Sequence, residues 1–117
     1  MNKFITRKYI QQHPEIIFVF GDNLEERGFG GQAAECRGEP NAFGIPTKYY
    51  PKMDTEAFFS DKDCMLLCYV IDKAIRNIPN DGREIYVLPR IGAGLAQMPK
   101  RCPRIYKYLV KKLKELG

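Results

Sequence analysis

Nowhere in these 117 residues do apolar side chains run for the roughly 20 positions a membrane-crossing helix needs, so a bilayer span is excluded. Histidine occurs once, as His13, and no Cys-x-x-Cys pair occurs, so Cys36, Cys64, Cys68 and Cys102 lack the knuckle spacing of a zinc site. Cys64 and Cys68 share a helix face, and a thiolate site completed by Cys36 and Cys102 is the alternative; reduced structural thiols, without metal or cofactor, are the expectation. No Gly-x4-Gly-Lys-Ser/Thr occurs, which excludes a P-loop, and the Gly-x-Gly at Gly28 lacks the third glycine of a dinucleotide fingerprint. Repeats, low-complexity tracts and long Pro/Gly/Ser linkers are also missing, so residues 1–117 are expected to form a single domain. Met1 to Ile10 alternates charge and bulk without the apolar core of a secretory leader, and a cytoplasmic location is the expectation.

What is present is 44% hydrophobic and 28% charged, enough apolar material for a core and too little net charge for disorder. The formal charge is +5, but residues 1–99 hold 12 Lys and Arg against 13 Asp and Glu, while residues 100–117 hold 7 against 1. The excess is therefore a property of the last segment, where Lys107, Lys111, Lys112 and Lys114 fall on one helix face.

Thr6 to Gln12 reads as a short helix capped by Thr6 and stopped by His13-Pro14. Ile16 to Phe20 is a β-branched and aromatic run closed by Gly21-Asp22, the pattern of a strand buried on both faces. A glycine-rich loop over Glu25 to Gly31 leads into a helix over Gln32 to Arg37, and Ala42 to Pro46 reads as a second strand. Asp61 to Ile78 shows helical spacing at Cys64, Leu67, Cys68, Ile71, Ile75 and Ile78, with Ser60 and Asp63 as a capping box. Glu84 to Leu88 reads as another buried strand and Pro89 to Pro99 as a loop. A last helix from Pro103 presents Ile105, Leu109, Leu113 and Leu116 to the core. Strands alternating with helices give an α/β layered domain, in which ligands sit at loops leaving the carboxyl ends of strands. Those loops are Gly21 to Gln32 and Pro89 to Ala96.

Three segments carry chemistry. Asp22-Asn23 followed by Gly28, Gly30, Gly31 and Gln32 permits close backbone approach to a ligand and opens a helix whose first N–H groups suit a phosphate. Thr47-Lys48 ends a strand, and a desolvated lysine there can attack a carbon at the aldehyde oxidation level. Arg90-Ile91-Gly92-Ala93-Gly94-Leu95 offers a turn of backbone N–H groups able to hold an anion. Taken singly, these segments also read as a tight helix entry, a solvated lysine and a strand-to-helix connection.

Read in order, the three resemble the macro domain family, whose members bind ADP-ribose. Asp22-Asn23-Leu24 with Gly28 to Ala33 is similar to its first loop, and Pro89 through Leu95 to its second. The nearest branch is the terminal ADP-ribose protein glycohydrolases and their bacterial DNA ADP-ribosyl glycohydrolase relatives, whose strand-end Thr-Lys matches Thr47-Lys48. The resemblance implies a compact three-layer α/β/α macro-like domain with a mixed, mostly parallel sheet. It implies that ADP-ribose, or an ADP-ribosylated protein or nucleic acid, is the partner, with Lys48 attacking the distal ribose at its anomeric carbon and Asn23 beside it. The branch has an aspartate directly after Gly-Leu, where this chain has Ala96; Asp22 is the acid that could take its place. For the adenine, Asp22, Phe29, Phe43 and Tyr49 are the candidates. Two other functions stay open: a reader of the nucleotide without turnover, and a nucleic-acid-binding protein using the basic terminal helix.

Overall fold

The computed structural model describes residues 4–28 and 30–116. Eight elements follow one another: α1 (Arg7–Gln12), β1 (Ile16–Asn23), α2 (Gly31–Cys36), β2 (Ala42–Lys48), α3 (Cys64–Arg76), β3 (Glu84–Val87), α4 (Met98–Arg101) and α5 (Pro103–Leu116). Two 3-10 turns, Thr55–Ala57 and Asp61–Asp63, lie between β2 and α3.

The strands form one parallel sheet in the order β2-β1-β3. The central strand shows why its sequence is continuously apolar. Ile17 and Val19 enter a core with Leu67, Ile71, Met98, Ile105 and Leu109, while Phe18 and Phe20 enter a second core with Ile5, Ile10 and Cys36. Helices α3, α4 and α5 thus cover one face and α1 and α2 the other, an α/β domain in three layers.

Most local signals act as expected. The Thr6 hydroxyl accepts from Tyr9 N–H at 3.1 Å and caps α1. The Ser60 hydroxyl accepts from Lys62 N–H, but Asp63 makes no reciprocal cap; its carboxylate accepts from the Tyr49 hydroxyl at 3.2 Å. The first N–H groups of α5 are capped from afar: Asp61 accepts from Arg104 N–H at 3.0 Å and Ile105 N–H at 3.1 Å.

Three expectations need correction. The sheet is not mixed: all three strands are parallel, and antiparallel pairing among the described residues is a single bridge between Lys48 and Phe58. β3 is not buried on both faces, because among the described residues it pairs with β1 alone; Glu84 is exposed and Ile85 to Val87 are half-buried. β1 runs on to Asn23, since Gly21 and Asp22 still pair with Ile45 and Pro46.

All four cysteines are free thiols. Cys36 lies in the core beneath α1 and α2, and Cys102 in the core on the opposite face, so the sheet separates them and the four cannot converge on one metal. Burial pushes the Cys36 thiol up to about 11 and Cys102 up to about 12, from an ordinary 9.0. In the unfolded chain these thiols ionise first, so their contribution to stability is present below pH 9.0 and is lost as pH rises through their raised values. Lys48 acts in the opposite sense, its ammonium being disfavoured in the fold. Urea unfolding followed from neutral to strongly alkaline pH should therefore show a shallower alkaline fall in Cys102→Ala than in the parent, whatever cavity that variant leaves. An identical slope would mean that the Cys102 thiol ionises in the fold as readily as outside it.

Candidate functional site

In a parallel sheet all strands end on the same edge, so the segments after β1, β2 and β3 meet there. The three non-glycine residues with positive φ among the described residues also lie beyond those ends: Glu26 (φ 54°) after β1, and Arg90 (φ 63°) and Gln97 (φ 51°) after β3. Backbone of this kind persists where surrounding contacts impose it, and it gathers at ligand sites.

Lys48 closes β2. The pairing with β1 slips at this point, from Asp22 with Pro46 to Asn23 with Lys48, leaving Thr47 as the extra residue of a bulge. The Thr47 hydroxyl donates to the Asp22 carbonyl at 3.1 Å and holds the bulge closed. Lys48 and Asn23 are each 8% exposed. The Lys48 ammonium donates to the Lys52 carbonyl at 2.5 Å, lies 3.7 Å from Met53 Sδ, and sits 4.6 Å from the centre of the Phe58 ring. No carboxylate pairs with it among the described residues. Burial and then the Arg101 charge push the Lys48 amine below the usual lysine value.

Beside it, the Asn23 side-chain N–H donates to the Arg27 carbonyl at 2.7 Å, while the buried Asn23 Oδ1 has no partner among the described residues. An unsatisfied buried acceptor is destabilising by about 1–3 kcal/mol, a cost that a water or a ligand donor offsets.

Asp22 is engaged elsewhere. Its carboxylate accepts from Arg37 Nη2 at 2.6 Å, Arg37 Nε at 3.0 Å and the Asn23 backbone N–H at 2.8 Å. A Cβ on Gly44 would lie 3.2 Å from Asp22 Cβ and 3.1 Å from the Phe20 ring, which puts the carboxylate on the α2 side. The acid expected to assist Lys48 is therefore an anchor: Arg37 joins it to the Gly28 carbonyl at 3.1 Å and fixes the loop after β1. Phe20, Asp22, Arg37, Gly44 and Pro46 line a cleft of about 180 Å³.

The glycines differ in what demands them. Gly28 (φ 128°) lies with its missing Cβ 3.1 Å from Pro51 Cβ, whereas Gly30 and Gly31 face open space. The Gln32 amide ties down the Ile5 backbone, accepting from its N–H at 2.9 Å and donating to its carbonyl, so this side chain is structural. In the loop after β3, Ala93 N–H donates to the Arg90 carbonyl at 2.9 Å, while the N–H groups of Gly92, Gly94 and Leu95 make no backbone hydrogen bond among the described residues. Ile91 and Ala96 belong to the core; Arg90 folds back to the Ala93 carbonyl at 3.1 Å, and Leu95 is 69% exposed. Ala96 thus points inward and leaves no acid at that position. Of the adenine candidates, Phe43 and Tyr49 pack against the core, and Phe29 lies outside the described residues.

Sequence reasoning missed Arg101 and Phe58. Arg101 ends α4, a helix that starts inside the segment read as a loop and runs past it, and its Cζ lies 3.8 Å from the centre of the Phe58 ring. Pro99, in the first turn of α4, is the signal that could have revealed this helix. A larger groove of about 470 Å³ between β3 and α5 is mainly apolar, lined by residues such as Val87, Val110 and Leu113.

A comparison with protein families matches residues 1–112 to one of them. The chain belongs to DUF7831, a family of unknown function. Comparison of this DUF7831 chain with curated proteins and with solved structures gives no match. Among its described residues no helix is long and apolar enough to cross a membrane.

Proposed function

We propose that this domain binds ADP-ribose, or a group carrying it, and hydrolyses an ADP-ribosyl linkage with Lys48 as nucleophile. The observation that carries the proposal is the pair at the carboxyl edge of the sheet: a buried lysine beside the buried Oδ1 of Asn23, with neither a carboxylate for the first nor a donor for the second among the described residues. Burial and the Arg101 charge raise the neutral, nucleophilic fraction of the Lys48 amine above that of an ordinary lysine, and Asn23 Oδ1 would accept from a ribose hydroxyl. The free N–H groups of Gly92, Gly94 and Leu95 suit a diphosphate, and the Asp22–Arg37 cleft takes the base, with Phe20 and Pro46 as its apolar walls.

In the reaction the Lys48 lone pair forms a bond to the anomeric carbon as the bond to the modified residue breaks. The departing group leaves with the electron pair and takes up the proton released by the amine. Water then cleaves the carbon–nitrogen bond, returning the amine and free ADP-ribose.

A second reading, a module that binds without turnover, is favoured by the inward-facing Ala96 and by Asp22 being held on Arg37. Titration calorimetry with ADP-ribose tests both. Binding that is weakened at least about tenfold by Asn23→Ala supports the site, and no heat at millimolar ligand removes both readings. Nucleic-acid binding by α5 fits less well. Lys107, Lys111 and Lys114 are exposed, but the Tyr108 hydroxyl donates to Asp72 at 2.6 Å and Tyr106 packs against the core, so neither ring is free for a base to stack on.

A further inference from the structure

Lys48 and Arg101 come from elements far apart in sequence and rest on one aromatic ring. Lys48 Nζ is 4.6 Å and Arg101 Cζ 3.8 Å from the centre of Phe58, a buried residue that also pairs with Lys48 through the antiparallel bridge. We infer that Arg101 is a positioning residue for Lys48, acting on its amine through the ring of Phe58 on which both cations rest. The inference deepens the proposed function, and the nucleophilic role of Lys48 rests on that reading.

The arrangement is built rather than incidental. Met98, fully buried at the start of α4, fixes the helix to the preceding loop through its N–H to the Gly92 carbonyl at 2.9 Å. Gln97 adopts positive φ to open α4, and its Oε1 accepts from Arg101 Nε at 2.9 Å, aiming the guanidinium at the ring. Arg101 pairs with no carboxylate among the described residues, so its charge is not neutralised locally. The groups around the Lys48 amine are the Lys52 carbonyl and Met53 thioether from the segment after β2, the Phe58 ring, and Arg101 from α4. The charged one is Arg101. Two cations on one ring repel, and a guanidinium keeps its proton under all ordinary conditions, so the repulsion lowers the proton affinity of the lysine. The lowered proton affinity of Lys48, caused first by burial and then by Arg101, agrees with this geometry.

Reductive methylation of the full chain with formaldehyde and cyanoborohydride, followed residue by residue by mass spectrometry across pH, tests the inference without any substrate. Using the pH midpoint of modification removes the effect of Lys48's limited accessibility, and exposed Lys111 is the internal reference. In the parent, the Lys48 midpoint should lie below that of Lys111. In Arg101→Gln it should move up, slowing modification at mildly alkaline pH by about three- to tenfold, while Lys111 is unchanged. Arg101→Lys, which keeps the charge, should restore at least part of the difference. A Lys48 midpoint that is the same in parent and Arg101→Gln, with circular dichroism unchanged, overturns the inference. If Arg101→Gln does not fold, the Arg101→Lys comparison with Gln97→Leu decides: loosening the guanidinium should raise the midpoint, and no movement overturns the inference. If the midpoint moves as expected and no variant, nor the parent, releases ADP-ribose, the nucleophile reading fails while the coupling of Arg101 to Lys48 stands.

Discussion

Exchange of Lys48 for methionine is expected to reduce release of ADP-ribose from ADP-ribosylated protein or DNA by at least about a thousandfold, because the group that forms the intermediate is gone. Binding of free ADP-ribose should stay within a few-fold of the parent, since the proposed diphosphate and base contacts belong to other residues. Methionine has nearly the length of lysine and suits a site formed by Met53 and Phe58, so folding should survive. Removing a buried cation without a carboxylate partner should leave the thermal midpoint at or above that of the parent. Release at parental rate by Lys48→Met would exclude the lysine from the mechanism. Tight binding with no release by either protein would leave the binding module as the function.

Gly92→Ala should destabilise the fold by about 2–4 kcal/mol, the sum of an unfavourable backbone conformation and overpacking. Gly92 has φ 83°, and a Cβ there would lie 2.7 Å from Met98 Sδ and 3.0 Å from Leu109 Cδ2. Met98 and Leu109 are fully buried and belong to the core that holds α4 and α5 to the sheet, so neither can withdraw freely. Gly94→Ala is the control: nothing lies within 4 Å of the place its methyl group would take, and its φ is not positive, so stability should change by less than about 0.5 kcal/mol. Urea denaturation of the two variants beside the parent measures the contrast. Equal midpoints for Gly92→Ala and Gly94→Ala would mean that the loop after β3 yields more easily than its packing implies.

The two glycines illustrate how far sequence reasoning reaches. Both were legible as part of an anion-suited turn, yet one is demanded by core packing and the other faces open space. Asp22 and Lys48 were both legible as polar groups at strand ends. Strand alternation and the bulge at Thr47 then sent the carboxylate to Arg37 and the amine to Phe58. Lys48 itself was legible from its place at a strand end, but its lack of a carboxylate partner was not, since any of the 14 acidic residues could have reached it.

By itself the sequence determined the local elements other than α4, and the layering. The Thr6 cap, the continuous apolar run of β1 and the 3.6-residue spacing of α3 and α5 act over a few residues and require no distant partner. It also placed glycine-rich segments after two of three strands, and in a parallel sheet all strand ends share one edge. Only the tertiary structure decided what meets at that edge: Arg101 with Phe58 and Lys48, Arg37 with Asp22 and Gly28, and an Asn23 oxygen without a partner among the described residues. Those pairings depend on where chain segments return after long excursions, and side-chain type at either end does not specify the return.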